Sequence, residues 1–273
     1  MQNIICEPLT VRSILATLPD DMQAVLHGQA FKTDTVGCSG AHIFLFDHDL
    51  VLKVEQKTEV SDTEIEMIRW LNGKLPVPEI KGFHTDGRYN YLLMTRINGR
   101  MACDEPYMMD GRIMARRLAQ GLKRFWQVPL DGCPRVMDLE HQLSRALWRI
   151  EQQKIRIRPE TLQANGFASL KAQYDYLYDH RPEETLVLSH GDYCLVNIFL
   201  ENDEITGFID FGRCGVAGQW RDITMCMGSL RYNLKLSSRE KSFDVLKQLF
   251  FDELGFEPDE QTMRYYRLLD QLL

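Results

Sequence analysis

The chain has 273 residues, 44% of them hydrophobic and 26% charged, with a net charge of −7. That length and balance suit one large domain or two lobes with ample core, of an ordinary globular kind. The acidic excess argues against nucleic acid and anionic membranes as partners and permits a cationic ligand, and no apolar run reaches bilayer-spanning length.

Residues 8–27 predict a helix with Leu15, Leu18, Val25 and Leu26 as its apolar contacts. DTVGCSGAHIFLF follows, where Gly37, Ser39 and Gly40 precede an apolar strand. Such a small-residue loop can donate backbone N–H groups to phosphates, although Gly-Ser turns are also common without a ligand. A P-loop is excluded, because Gly73-Lys74 is followed by Leu75.

The strand LVLKVE carries one charge, Lys53, thirteen residues after Gly40. A hairpin would set it under the glycine loop, while a lone strand lysine often faces solvent. A helix is expected from about Ser61, and the Ser61-to-Glu64 spacing matches a capping box. Glu64 can instead pair with Lys53 and aim its ammonium at the α- and β-phosphates of a nucleotide. Pro76 and Pro78 stop this helix. YLLMTRINGR (91–100) reads as a strand and a turn at Asn98-Gly99. Thr95 to Ile97 are the candidate connector between two lobes, offering main-chain groups to an adenine edge.

Helical patterns run from Asp110 to about Val128, from Asp138 to Gln153 and from Ser169 to Tyr178. Between the last two, KIRIRPETLQANG reads as an exposed basic connection. LSHGDYCLVNIFLENDEITGFIDFG (188–212) is the stretch around which the rest is organised. Its strand, polar turn and alternating strand predict a β-hairpin. Folding it brings Asn197 at one foot close to Asp210 at the other, and an amide oxygen with a carboxylate suits Mg²⁺. Asp192, five residues before Asn197, can then orient an attacking hydroxyl and take its proton. A base Asp, an Asn five residues on and an Asp-Phe-Gly make the arrangement that phosphoryl transfer in protein-kinase-like enzymes uses. His190 reads as a buried prop, and Asp222, opening a later helix, as a brace behind the loop.

A strand-rich first third and a helix-rich remainder predict an α+β, bilobal protein-kinase-like fold. The small β-rich N-lobe would cover 1–97 and the larger helical C-lobe 98–273. Seven cysteines without a C-x-x-C pair are poor disulfide or zinc material, and the N-terminal stretch does not read as a signal peptide, so a cytoplasmic setting is expected. Cys38, Cys194 and Cys214 fall in the site loops, where they pack as small hydrophobes or include a reactive thiolate.

The segments RWLNGKLPVP (69–78), FWQVPLDGCP (125–134), 186–213 and FFDELGFEPDEQTMRYYRLLDQLL (250–273) resemble the aminoglycoside 3′-phosphotransferases, antibiotic-resistance kinases with a protein-kinase-like fold. The resemblance implies transfer of the γ-phosphate of ATP or GTP to an aminoglycoside hydroxyl. In it Asp192 is catalytic, Asn197 and Asp210 hold Mg²⁺, Lys53 and Glu64 hold phosphates, and Ser39, Thr95 and Ile97 meet the nucleotide. It also implies an acceptor site of carboxylates, reduced here to Asp270 and the terminal carboxylate of Leu273. Leu195 stands where the family can offer an acid, the 149–158 loop is rich in arginine and lysine, and Val51 replaces an adenine-stacking aromatic ring. The thinned acidic site keeps a kinase of another small acceptor, a sugar or other aminocyclitol, as the alternative. A silent kinase-fold binding module is the third reading, although Lys53, Asp192, Asn197 and Asp210 are all retained. A monomer or weak homodimer is expected.

Overall fold

The computed structural model describes residues 11–34 and 40–273, so Cys38 and the Ser39 assignment lie outside the described residues. Two short helices, α1 (Val11–Thr17) and α2 (Asp20–Leu26), replace the single helix expected over 8–27. Pro19 separates them in an extended conformation (ψ 154°), since its ring cannot continue a helix.

Five antiparallel strands follow: β1 (Phe31–Asp34), β2 (His42–Phe46), β3 (Leu50–Gln56), then, beyond α3 (Glu59–Leu71), β4 (Ile80–Thr85) and β5 (Tyr89–Thr95), in the order β1-β2-β3-β5-β4. Ile14, Leu18, Met22 and Leu26 cover one face, packing on Leu52, Val54 and Leu93. The other face, with Val51, Leu92 and Met94, meets Ile65, Ile68 and Leu71 of α3. Alternation along β3 puts Lys53 on that inner face beside Val51, only 7% exposed, so the solvent-facing reading of Lys53 is excluded.

The start of α3 corrects a boundary. Thr58 is its N-cap, its hydroxyl accepting from the Ser61 N–H, while Ser61 Oγ accepts from the Thr58 N–H. The capping box is therefore Thr58–Ser61, and Glu64 lies a turn inside the helix, free of any capping duty. The helix closes at Leu71, where Gly73 (φ +78°) turns the chain before the prolines are reached.

After β6 (Arg100–Met101) come α4 (Glu105–Asp110) and α5 (Arg112–Trp126). α5 is the helix expected from Asp110 to about Val128; Gly111 (φ +72°) separates it from α4, which the sequence pattern did not mark, and a Cβ there would sit 2.7 Å from Leu246 Cδ1. α6 (Leu139–Glu151) begins at its Asp138 cap. The basic connection beyond it contains a further helix, α7 (Pro159–Ala164), with Pro at its first position and Leu162 buried. α8 (Leu170–Asp179), capped by Ser169, precedes β7 (Leu186–Ser189) and the hairpin β8 (Ile198–Glu201) and β9 (Glu204–Phe208). β10 (Gly215–Gly218) pairs back on β7, and α9 (Trp220–Leu236), α10 (Phe243–Leu254) and α11 (Glu260–Asp270) complete the order.

This is an α+β, bilobal protein-kinase-like fold, a small β-rich lobe on a larger helical one. One apolar cluster runs from Val51 and Ile68 in the small lobe through Leu118, Ile198 and Phe211 to Phe250 in the large one, so the lobes share a continuous core. No helix among the described residues is long and apolar enough to cross a membrane.

Candidate active site

Local chain chemistry builds the hairpin. Asn202 (φ +50°) and Asp203 (φ +63°) form a two-residue turn, and these side chains tolerate left-handed backbone better than most. Pairing of Ile198 with Phe208 carries the ladder to the feet, where the Ile209 N–H donates to the Asn197 carbonyl at 3.0 Å. Asp210 follows at φ +67°, a left-handed conformation that aspartate, like Asp203 in the turn, adopts more readily than most residues.

The loop before the hairpin is fixed from behind. The two oxygens of Asp222, which is 1% exposed, accept the N–H groups of His190 (2.7 Å) and Gly191 (2.9 Å). His190 is fully buried; its Nε2 lies 3.0 Å from the Ile209 carbonyl, and its Nδ1 is 3.3 Å from the Asp192 nitrogen. A neutral ring with the proton on Nε2 satisfies both contacts, so His190 ties the loop to the strand that delivers Asp210. Gly191 (φ +82°) admits no side chain, because a Cβ would lie 2.0 Å from the Arg213 carbonyl oxygen.

Asp192 is half-buried, and both its carboxylate oxygens have partners. The Cys194 thiol donates to Oδ1 at 3.0 Å and Asn197 Nδ2 to Oδ2 at 3.1 Å; Nδ2 also donates to the Asp192 carbonyl at 2.9 Å. With its nitrogen occupied, Asn197 keeps its amide oxygen for another ligand. The Cys194 contact was not legible as chemistry in the sequence, where the only signal was a cysteine two residues past the acid.

Across the cleft, Lys53 Nζ donates to Glu64 Oε2 at 2.6 Å and stands 3.6 Å from Asp210 Oδ1 and 3.4 Å from Glu55 Oε1. Burial works against the Lys53 ammonium, but the carboxylates of Glu64, Asp210 and Glu55 outweigh it and hold its pKa well above the ordinary lysine value. Burial lifts the Glu64 carboxyl to about 7, against the pull of Lys53. The two side chains lie 2.6 Å apart, within reach of a short charge-assisted hydrogen bond from the Lys53 ammonium.

Lys53, Glu64, Asn197 and Asp210 line one interlobe cavity of about 500 Å³, walled by apolar side chains that include Ile43, Val51, Met94 and Phe199. That volume is within the roughly 300–1,000 Å³ of small-molecule sites. Thr95 and Ile97 also line it. The connector is narrower than the sequence suggests: the Thr95 N–H is bound to the Glu79 carbonyl (2.9 Å) and the Arg96 N–H to that of Asp49 (2.7 Å). Thr95 therefore has no free N–H for a ligand, and Ile97 carries that possibility. Among the described residues no group of three or more His, Cys, Asp or Glu side chains is placed to hold a metal ion. A divalent ion here would rest on one carboxylate, one amide oxygen, water and ligand oxygens, a set that suits Mg²⁺.

The model of the phosphotransferase enzyme family matches residues 39–266. An aminoglycoside 3′-phosphotransferase of Enterococcus faecalis is 32% identical over 250 residues, covering 88% of this chain and 92% of its own. The chain belongs to the aminoglycoside 3′-phosphotransferase family. It is a phosphotransferase. Among solved structures, the aminoglycoside phosphotransferase APH(3″)-Id of Streptomyces rimosus shares the fold, with a TM-score of 0.76 at 22% identity over 97% of this chain and 99% of that one. The same protein was also solved in complex with ADP and streptomycin, with a TM-score of 0.70 at 21% identity over 92% of this chain and 96% of that one.

In this family member the acids expected to meet an acceptor are already engaged. Asp270 Oδ1 accepts from Arg213 Nη2 at 2.9 Å, and Arg149 Nη1 donates to the main-chain oxygen of Leu273. Burial lowers the Arg149 pKa, and its neighbours Arg145 and Arg213 add to the effect. Leu195 is fully buried in the core, so the departure at that position faces no ligand. In the basic loop, Lys154 lies 4.0 Å over the Trp148 ring.

Of the three site-loop cysteines, Cys194 and Cys214 lie among the described residues, the first bonded to Asp192 and the second packed in the core. Burial, reinforced by the Asp192 charge, pushes the Cys194 thiol far above the ordinary cysteine range. Burial pushes Cys214, which is fully enclosed, up as well. Neither is a thiolate at neutral pH.

Proposed function

We propose that this chain transfers the γ-phosphoryl group of ATP or GTP to the 3′-hydroxyl of an aminoglycoside. The observation that carries this reading is the convergence of the Lys53–Glu64 pair, Asn197 and Asp210 on one interlobe cavity, with Asp192 tied to the Asn197 amide. Family membership supports it, as do the 3′-phosphotransferase relatives.

In this reading the adenine or guanine edge meets the main chain at Ile97, its ring lying against Ile43, Val51 and Phe199. Lys53, held by Glu64, carries the α- and β-phosphates. Asn197 Oδ1 and Asp210 would hold Mg²⁺, which supplies charge neutralisation on the phosphate oxygens. Asp192 accepts the proton of the acceptor hydroxyl as its oxygen bonds to the γ-phosphorus and the bond to the bridging oxygen of the nucleoside diphosphate breaks. Its orientation is set by Cys194 and Asn197, so alignment, more than covalent help, carries the rate. Asp270 and the Leu273 end face the acceptor's ammonium groups. The boundary between nucleotide-binding and acceptor-binding lobes falls near residue 97, and the enzyme works in the cytoplasm as a monomer or weak homodimer.

A second reading, the same chemistry on a sugar or another aminocyclitol, is favoured by the Arg213–Asp270 and Arg149–Leu273 contacts. A polycationic acceptor must displace those arginines, whereas a less charged one need not. ADP release measured with kanamycin, neomycin and a sugar panel, with Asp192→Ala as control, separates the two. Stimulation by an aminoglycoside supports the first; stimulation by sugars alone replaces it with the second.

A further inference from the structure

We propose that Arg135 is a positioning residue that staples the Asp-Phe-Gly turn to the first turn of α3, setting Asp210 in register with the Lys53–Glu64 pair. The inference rests on Asp210 holding the metal.

The guanidinium bridges two elements. Nη1 donates to the Gly212 carbonyl at 2.8 Å, and Nη2 donates to Glu59 Oε1, on the first residue of α3, at 3.0 Å. Arg145 Nη1 donates to the same Glu59 oxygen at 3.0 Å. Only 12% of the Arg135 side chain is exposed, while Glu59 is 67% exposed, so the bond to the Gly212 carbonyl is the firmer half of the link. Its own backbone is fixed, since the Val216 N–H donates to the Arg135 carbonyl at 2.9 Å and the Met137 N–H to the Val216 carbonyl at 2.7 Å. β10, to which Val216 belongs, pairs with β7, the strand that runs into the His190–Asp192 loop.

The two elements so joined are in close contact. A Cβ on Gly212 would lie 2.6 Å from Val60 Cγ1 and 2.9 Å from the Val60 carbonyl oxygen, so the turn and the helix start admit no slack. Two residues before Gly212 stands Asp210, at φ +67°, so the placement of Gly212 bears directly on that of Asp210. Five residues after Glu59 on the same rigid helix stands Glu64. A planar fork with two acceptors fixes orientation as well as distance, which a lysine cannot do. One side chain thus links the turn that carries Asp210 to the helix whose Glu64 holds Lys53.

The test compares Arg135→Met, Arg135→Lys, Glu59→Ala and the Met/Ala double variant. Each is assayed for kcat, for acceptor KM and for nucleotide affinity by calorimetry as magnesium is titrated. Arg135→Met is expected to lower kcat by about tenfold, as a displaced reacting group does. It should raise half-saturating magnesium several-fold while acceptor KM stays within about twofold. Glu59→Ala should show a smaller change of the same kind, and the double variant should be no worse than Arg135→Met, because both act through one link. Wild-type kcat and magnesium dependence in Arg135→Met, multiplicative effects in the double variant, or full rescue by Arg135→Lys would each overturn the proposal. So would magnesium-independent nucleotide binding by the unaltered chain. Magnesium-dependent binding without transfer to any aminoglycoside would instead refute the acceptor and leave the staple standing.

Discussion

The two sides of the cleft are held by different physics. On the side of Lys53 and Asp192, Lys53 and Glu64 are 7% and 2% exposed, and every carboxylate oxygen of Asp192 and Asp222 has a hydrogen-bond partner. Such buried, charge-assisted bonds are strong and costly to break singly. On the acceptor side the Arg213–Asp270 pair has side chains 31% and 43% exposed. An exposed pair of this kind contributes about 0–1 kcal/mol, so an incoming ligand can exchange it at little cost. The Lys53–Asp192 side is preorganised; the Arg213–Asp270 contact is replaceable.

Substitutions on the two sides should therefore behave differently. Asp192→Ala is expected to cost about 10²–10⁴-fold in kcat whichever acceptor is used, with nucleotide binding retained by calorimetry. An acceptor that escapes this loss would break the comparison. Gly191→Ala forces a Cβ onto the Arg213 carbonyl in a left-handed conformation. It should destabilise the fold by about 3 kcal/mol or more in denaturant melts, with activity lost alongside. Lys53→Met removes one charge-assisted partner and leaves Glu64 buried without its counter-ion, so nucleotide KM should rise about ten- to a hundredfold. Asp270→Asn should change acceptor KM by no more than about tenfold, leave nucleotide KM unchanged, and shift neutral sugars least. If it abolished turnover with every acceptor, the acceptor side would be no more replaceable than the Lys53–Asp192 side.

The smallest effect concerns Cys194. Its thiol pKa is raised, so the reactive thiolate is scarce at neutral pH and forms only as pH climbs into the alkaline range. Iodoacetamide inactivation should be slow near pH 7 and accelerate with pH. Rapid inactivation at neutral pH, prevented by excess nucleotide, would sink that view.

Legibility followed range. The hairpin was readable because its turn residues and alternation are local, and so were the helix starts at Asp138 and Ser169. The Lys53–Glu64 contact was within reach because both readings of Glu64 needed the same helix, though that helix starts two residues earlier than expected, with Thr58 rather than Ser61 as its cap. Arg135 was invisible: its partners Gly212 and Glu59 lie 77 and 76 residues away, and no local pattern marks an arginine for either. The bond from the Thr95 N–H to the Glu79 carbonyl was hidden for the same reason.

By itself, the order of residues determined the hairpin and its loop, because spacing along them dictates which side chains stand at its feet. Only the packed molecule decided how they are braced and which acids are free. Those outcomes turn on contacts between segments distant in the chain, and on how deeply each charge is withdrawn from water.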